Sequence, residues 1–154
     1  MKKILFVCLG NICRSPAAEG AFIYLLKKEG IFEQFYVDSA GTSSHHEGER
    51  ADSRMRETAE LRGISLPSWS RQVTSEDFVE FDLILAMDND NLRNLLSICS
   101  DAELKSKVKM FTDFRREMVH EEVPDPYYGG KEGFEEVMDL VLDCSQGLLE
   151  YLKV

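Results

Sequence analysis

Long hydrophobic runs are missing from this chain of 154 residues. The apolar stretch Ile4-Leu5-Phe6-Val7 follows two lysines, as the apolar region of a secretion signal does. It is too short for one and runs straight through Cys8-Leu9 into Gly10-Asn11. No other segment approaches transmembrane length, so no membrane partner is expected. Basic charge is scarce as well. The formal net charge of −10 argues against a nucleic-acid or anionic-membrane partner, which calls for a basic patch. Four cysteines are too few for a disulfide scaffold in a chain of this length, and two of them share one loop, so a reduced, cytoplasmic protein is expected. His45 and His46 are adjacent, with no Cys or Asp at ligand spacing, and no metal or other cofactor is expected. Repeats, linkers and low-complexity segments are absent. The length fits one domain, residues 1–154, with room for a core. Nothing in the sequence assigns an oligomeric state.

Against that background one stretch stands out, Cys8-Leu9-Gly10-Asn11-Ile12-Cys13-Arg14-Ser15. The apolar run before it reads as a buried strand. Ser15-Pro16-Ala17-Ala18-Glu19 after it reads as a helix start, with Ser15 as cap and Pro16 in the first turn. A thiol, a glycine and an arginine thus occupy a loop between a strand and a helix N-terminus. Backbone N–H groups in such a loop converge, and the helix end adds partial positive charge. An anion held there by the amides of Leu9, Gly10, Asn11, Ile12, Cys13, Arg14 and Ser15 also meets the guanidinium fork of Arg14. Cys8 lies at the floor of that site, an environment that favours the nucleophilic thiolate. The plainer reading makes Cys8 a small core residue, Gly10 and Asn11 turn residues and Arg14 a surface charge. The position of all of them at one strand–helix junction favours the chemical reading.

Apolar runs alternate with helical patterns along the chain. Strands are expected at 4–7, 35–40, 83–87 and 108–111. Helices are expected at 17–29, ended by Gly30, at about 52–62, stopped by Gly63, from the capping pattern Thr74-Ser75-Glu76-Asp77, at 89–98 and at 101–105. Residues 113–133 hold Pro124, Pro126, Gly129, Gly130 and Gly133 and read as a long loop, a common place for function. Phe134, Met138, Val141, Leu148 and Leu152 mark the core face of a last helix. The alternation implies an α/β fold, with a mostly parallel sheet covered by helices on both faces. Ligands bind such sheets beyond the carboxyl ends of strands, where Cys8 stands.

Val7-Cys8-Leu9-Gly10-Asn11-Ile12-Cys13-Arg14-Ser15-Pro16 resembles the phosphate-binding loop of the low-molecular-weight protein tyrosine phosphatases. The resemblance extends to Asp38-Ser39-Ala40-Gly41-Thr42-Ser43, Arg71-Gln72-Val73, Leu85-Ala86-Met87-Asp88 with Asn91-Leu92, and Asp125-Pro126-Tyr127-Tyr128-Gly129. It implies four parallel strands in the order 2-1-3-4, and hydrolysis of protein phosphotyrosine through a cysteinyl-phosphate, with inorganic phosphate as product. Asp125 matches the family's general acid. From the residues alone, an Asp between two prolines is equally a turn signal. Tyr127 and Tyr128 match aromatics at the pocket mouth, and Asp88 matches an Asp that supports the loop. Asn11 suits a left-handed backbone position and braces the loop. Ser15 is near enough to donate to the Cys8 sulfur. Cys13 is a packing residue or a trap for oxidised Cys8, while Cys99 and Cys144 read as core.

Two departures from the family pattern stand out. His45 replaces a frequent rim aromatic. Ser68 replaces a histidine that braces the loop asparagine, which shifts that bracing toward Ser39. Trp69 reads as core, with a place on the rim as the alternative. An arsenate reductase calls for a relay of further cysteines, which is absent. A protein-arginine phosphatase of this fold tends to carry Thr at the position of Ile12 and to lack the paired tyrosines. A sugar-transport phosphotransfer domain lacks Arg14 and Asp125. A non-catalytic phosphopeptide binder predicts loss of Cys8 or Asp125, and both are present.

Overall fold

A computed structural model describes residues 1–153. Four parallel strands form one sheet: β1 (Lys2–Cys8), β2 (Phe35–Gly41), β3 (Leu83–Ala86) and β4 (Val108–Met110), in the order β2-β1-β3-β4. Six helices surround it: α1 (Arg14–Lys28), α2 (Ser53–Glu60), α3 (Ser75–Glu80), α4 (Asn89–Ile98), α5 (Ala102–Lys105) and α6 (Lys131–Leu152). Short 3-10 turns cover Phe32–Gln34 and Phe111–Phe114.

β1 lies in the middle of the sheet and is buried from Ile4 to Cys8. Its side chains alternate between the two faces, as the period of a strand dictates. Ile4, Phe6 and Cys8 face the core made with α1, α2 and α6, while Leu5 and Val7 face the core made with α3 and α4. The Phe6 ring meets Phe22 and Phe111 edge-on at centroid distances of 5.9 and 5.0 Å, the arrangement that aromatic quadrupoles favour. This burial on both faces explains why the strands read as unbroken apolar runs.

The expected elements are all present, with local differences; the last helix begins at Lys131 and takes in Gly133, a residue expected in the loop before it. Ser15 does not cap α1. Cys13 holds that position, with no side-chain cap bond, because the Ser15 hydroxyl is drawn instead to Cys8 and Asn11. The last strand stops at Met110, and the buried Phe111 opens a 3-10 turn. Trp69 is not core. It is 60% exposed and lies under the Arg50 guanidinium at 5.6 Å. The Pro67 and Ser68 positions just before it carry no periodic apolar pattern that would have turned it inward.

Gly147 sits inside α6, where glycine normally weakens a helix. A Cβ there would lie 1.7 Å from the Phe114 carbonyl oxygen, so glycine lets the helix pack directly on backbone. Gly147→Ala should lower stability by about 2–4 kcal/mol through overpacking against an atom that cannot rotate away. Urea unfolding checks this, and a variant as stable as the parent would mean that α6 and the Phe111–Phe114 turn separate freely.

Candidate active site

β1 ends at Cys8 and α1 begins at Arg14, so the residues between must turn the chain across the carboxyl edge of the sheet. Asn11 makes the turn, with φ at 57° in the left-handed region that Asn adopts more readily than most residues. The loop carbonyls are tied outward. Cys8 O accepts from Thr42 N at 2.9 Å, Leu9 O from Ser43 N at 3.0 Å, Gly10 O from Ser70 Oγ at 3.0 Å, Ile12 O from Asp52 N at 2.8 Å and Cys13 O from Ala17 N at 3.1 Å. A peptide whose C=O points out points its N–H in. The amides of residues 10 and 12–15 donate to no protein acceptor among the described residues, and they converge at the N-terminus of α1.

Asn11 holds this loop with its side chain. Its Nδ2 donates to Ser15 Oγ at 2.7 Å and to Ser39 Oγ at 3.0 Å, and its Oδ1 accepts from Arg71 N at 3.0 Å. Ser68 Oγ stands 3.4 Å from Ser39 Oγ, behind the Asn11–Ser39 bond. Two donors reach the Cys8 sulfur: Asn11 N at 3.3 Å, and Ser15, whose Oγ lies 3.1 Å away. Ser15 Oγ accepts from Asn11, and its one proton has two acceptors in reach, the sulfur at 3.1 Å and Ala40 O at 3.4 Å.

Arg14 is buried, and its Nη1 donates to Asp88 Oδ2 at 2.6 Å and to Val123 O at 3.2 Å. Asp88 caps α4 with its other oxygen, accepting from Asn91 N at 2.7 Å, which fixes the carboxylate that steers Arg14. Arg14 Nη2 lies 3.8 Å from Asp125 Oδ2, and Asp125 Oδ1 accepts from Tyr127 N at 3.1 Å. Burial opposes the charge on Arg14, but a Cys8 thiolate together with Asp88 and Asp125 outweighs it and raises its pKa.

These groups line one pocket of about 360 Å³. Cys8, Cys13 and Arg14 contribute to it, with Leu9, Gly10 and Ile12 from the loop and Ser43, His45, His46, Asp125, Tyr127 and Tyr128 completing the lining. His45 lies among the lining residues, and its neighbour His46 packs more closely. A Cβ on Gly10 would come within 2.9 Å of the His46 ring, whose centroid is 6.2 Å from that of Tyr127. Arg54 lies over the Tyr127 ring at 5.3 Å and over Phe134 at 4.8 Å, placing positive charge behind the aromatic wall. Burial, with Asp52 close by, pushes the Cys13 thiol well above the ordinary cysteine range. The core thiol of Cys144 is likewise pushed up to about 12. Among the described residues, no group of three or more His, Cys, Asp or Glu side chains could hold a metal ion.

Several contributors were not legible as site residues. Ser70 and Arg71 brace the loop across a long sequence gap, and Val123 holds Arg14 through a carbonyl, which no side-chain pattern reveals. Gly41 lets β2 approach, since a Cβ there would meet Leu9 O at 2.7 Å. Glu19 is buried under Ser39, and as a polar residue in an apolar helix it carried the one available signal.

The family profile described as low molecular weight phosphotyrosine protein phosphatase matches residues 3–154. A Schizosaccharomyces pombe protein named low molecular weight phosphotyrosine protein phosphatase is 40% identical over 149 residues, 96% of this chain and 95% of its own. A crystal structure of protein tyrosine phosphatase from Entamoeba histolytica, with Hepes in the active site, is similar with a TM-score of 0.97 at 48% identity. The match covers 99% of this chain and 97% of that one. A crystal structure of drosophila arginine phosphatase is also similar, with a TM-score of 0.90 at 32% identity, over 100% of this chain and 99% of that one. The chain belongs to the low molecular weight phosphotyrosine protein phosphatase family.

Proposed function

We propose that the protein hydrolyses phosphotyrosine in proteins through a cysteinyl-phosphate on Cys8. The observation that carries this reading is the meeting, in one pocket, of a doubly hydrogen-bonded sulfur, inward amides, Arg14 and Asp125. Phosphate displacement needs an ionised nucleophile, a cradle for the equatorial oxygens and a proton for the departing oxygen. Cys8 attacks phosphorus while the loop amides and Arg14 hold the oxygens, and protonated Asp125 donates to the phenolate as the P–O bond breaks. Asp125 then takes a proton from water as it attacks phosphorus. The P–S bond breaks, and inorganic phosphate and the Cys8 thiolate leave. Asn11 N and Ser15 stabilise the sulfur's charge in both steps. Asp88 keeps Arg14 aligned.

An aryl group fits the mouth. Tyr127 gives it a flat wall, Ile12 an apolar contact, and the exposed Tyr128 and His45 flank the entrance. The likeness to the drosophila arginine phosphatase structure supports phosphoarginine as the second reading. The four free cysteines agree with a reducing, cytoplasmic setting.

Phosphotyrosine, phosphoserine and phosphoarginine peptides assayed side by side should show phosphotyrosine preferred by about tenfold or more. Cys8→Ser should abolish turnover and still bind phosphate, and a chelator should leave the parent unaffected. Preference for phosphoarginine would move the assignment to the second reading, and turnover by Cys8→Ser would remove the covalent route.

Asp125→Asn should slow esters with poor leaving groups by about 10²–10³-fold and good ones far less, since a stable leaving anion needs little protonation. Equal losses across a leaving-group series would take the acid role away from Asp125.

Mild peroxide should inactivate the protein reversibly. Cys8 is oxidised to the sulfenic acid, and the Cys13 thiolate displaces hydroxide from it to leave a disulfide. Because the Cys13 thiol is held protonated by burial, disulfide formation should accelerate as pH rises. Mass spectrometry before and after a thiol reductant reads the result. Lasting inactivation with Cys13 still free would return Cys13 to a packing role.

A further inference from the structure

Resting on the phosphatase reading, the geometry points to Glu19 as a positioning residue that works as a neutral carboxylic acid and fixes the direction of a relay, Ser39–Asn11–Ser15, ending on the Cys8 sulfur. Glu19 lies on α1 one turn beyond Ser15 and is 5% exposed. Ser39 Oγ donates to Glu19 Oε1 at 2.6 Å. A hydroxyl has one proton, so with that proton on Glu19 the Ser39 oxygen is left to accept from Asn11 Nδ2 at 3.0 Å. Asn11 gives the other hydrogen of that amide to Ser15 Oγ at 2.7 Å, and the Ser15 proton goes to the sulfur at 3.1 Å in preference to Ala40 O, which is farther at 3.4 Å. Every link points the same way when the Glu19 proton sits on Oε2, because Oε1 is then an acceptor only and takes the Ser39 proton. Without it the Ser39 proton is free to turn toward the Asn11 amide hydrogens and break the order.

A full negative charge at Glu19 has nothing to balance it. Its hydrogen-bond partner is the Ser39 hydroxyl, with the Ser68 hydroxyl nearby. The charged groups that reach it are Asp38 of β2 and Arg71 of the segment before α3. The Arg71 guanidinium is already shared between Asp38, at 3.1 Å, and Asp77, at 3.0 and 3.1 Å, so two carboxylates consume one cation. Burial therefore dominates and raises Glu19 from 4.5 to about 7, against the pull of the Ser39 and Ser68 hydroxyls. A folded-state pKa above the unfolded one means the native state binds the proton more tightly. That contribution to stability is complete below pH 4.5 and is lost as pH rises through about 7.

Three variants of the full chain test this. Glu19→Gln keeps an acceptor oxygen and cannot ionise, Glu19→Ala removes both properties, and Ser39→Ala cuts the next link. Urea unfolding from pH 5 to pH 8 should show the parent's folding constant falling by roughly a hundredfold relative to that of Glu19→Gln. On an aryl phosphate, Glu19→Gln should keep kcat within about threefold of the parent, while Glu19→Ala and Ser39→Ala lose about tenfold or more, the worth of one buried hydrogen bond. A Glu19→Gln variant that retains the parent's pH slope would overturn the neutral acid. A loss in Glu19→Gln as large as in Glu19→Ala would show that the carboxylate charge itself is needed. Undiminished kcat in Ser39→Ala would remove the relay. Absence of any aryl phosphate turnover by the parent would overturn the phosphatase reading instead, and the pH slope of unfolding would still decide the state of Glu19.

Discussion

The outward tethering of the loop carbonyls after β1 is the constraint on which the site depends. Five of them are held by Thr42, Ser43, Ser70, Asp52 and Ala17, so the pocket-facing side of the loop is left to N–H groups. Four of the five tethers come from segments distant in sequence, which means the cradle is assembled only when the sheet and its surrounding loops are complete. Asn11 then converts this ring of tethers into one geometry. It takes the left-handed turn with its backbone, and with its side chain it reaches Ser15, Ser39 and Arg71. Preorganisation of this kind lets donors meet developing negative charge without rearranging.

The acidity of the chain is compatible with an anion site because the local field is arranged against the global one. Arg14 is buried and brought into register by Asp88, whose second oxygen is committed to capping α4. The inward amides and the end of α1 add partial positive charge at the same point. Acidic residues elsewhere are largely solvated or paired, as in the contacts of Arg62 with Glu135 and Asp139, and their effect at the pocket is screened.

The sequence was most readable where a local rule acts alone. Apolar runs located the strands, Gly30 and Gly63 with positive φ marked helix ends, and the Thr74–Asp77 capping box opened α3. The junction at Cys8 was legible because thiol, turn residues and arginine fall in one short stretch. What could not be read was decided by tertiary contact. Ser15 has the chemistry of a cap, but it is claimed by Cys8 and Asn11. Trp69 has the bulk of a core residue and stays at the surface under Arg50. Backbone groups such as Val123 O carry no side-chain signature at all, and the strand order rests on a family resemblance that periodicity cannot replace.

Val123 also shapes what can vary in this protein. Its N–H is held by Met87 O at 2.8 Å and its carbonyl by Arg14, two residues before Asp125, and it is fully buried. Asp125 is thus indexed to the buried Arg14 through a clamp of main-chain atoms, which asks only for an apolar side chain at position 123. Beyond the clamp, Tyr128, Gly129 and Gly130 are exposed at the tip of the loop. A chain built this way can revise its tip by substitution after substitution while the main-chain clamp behind it keeps Asp125 in register with Arg14.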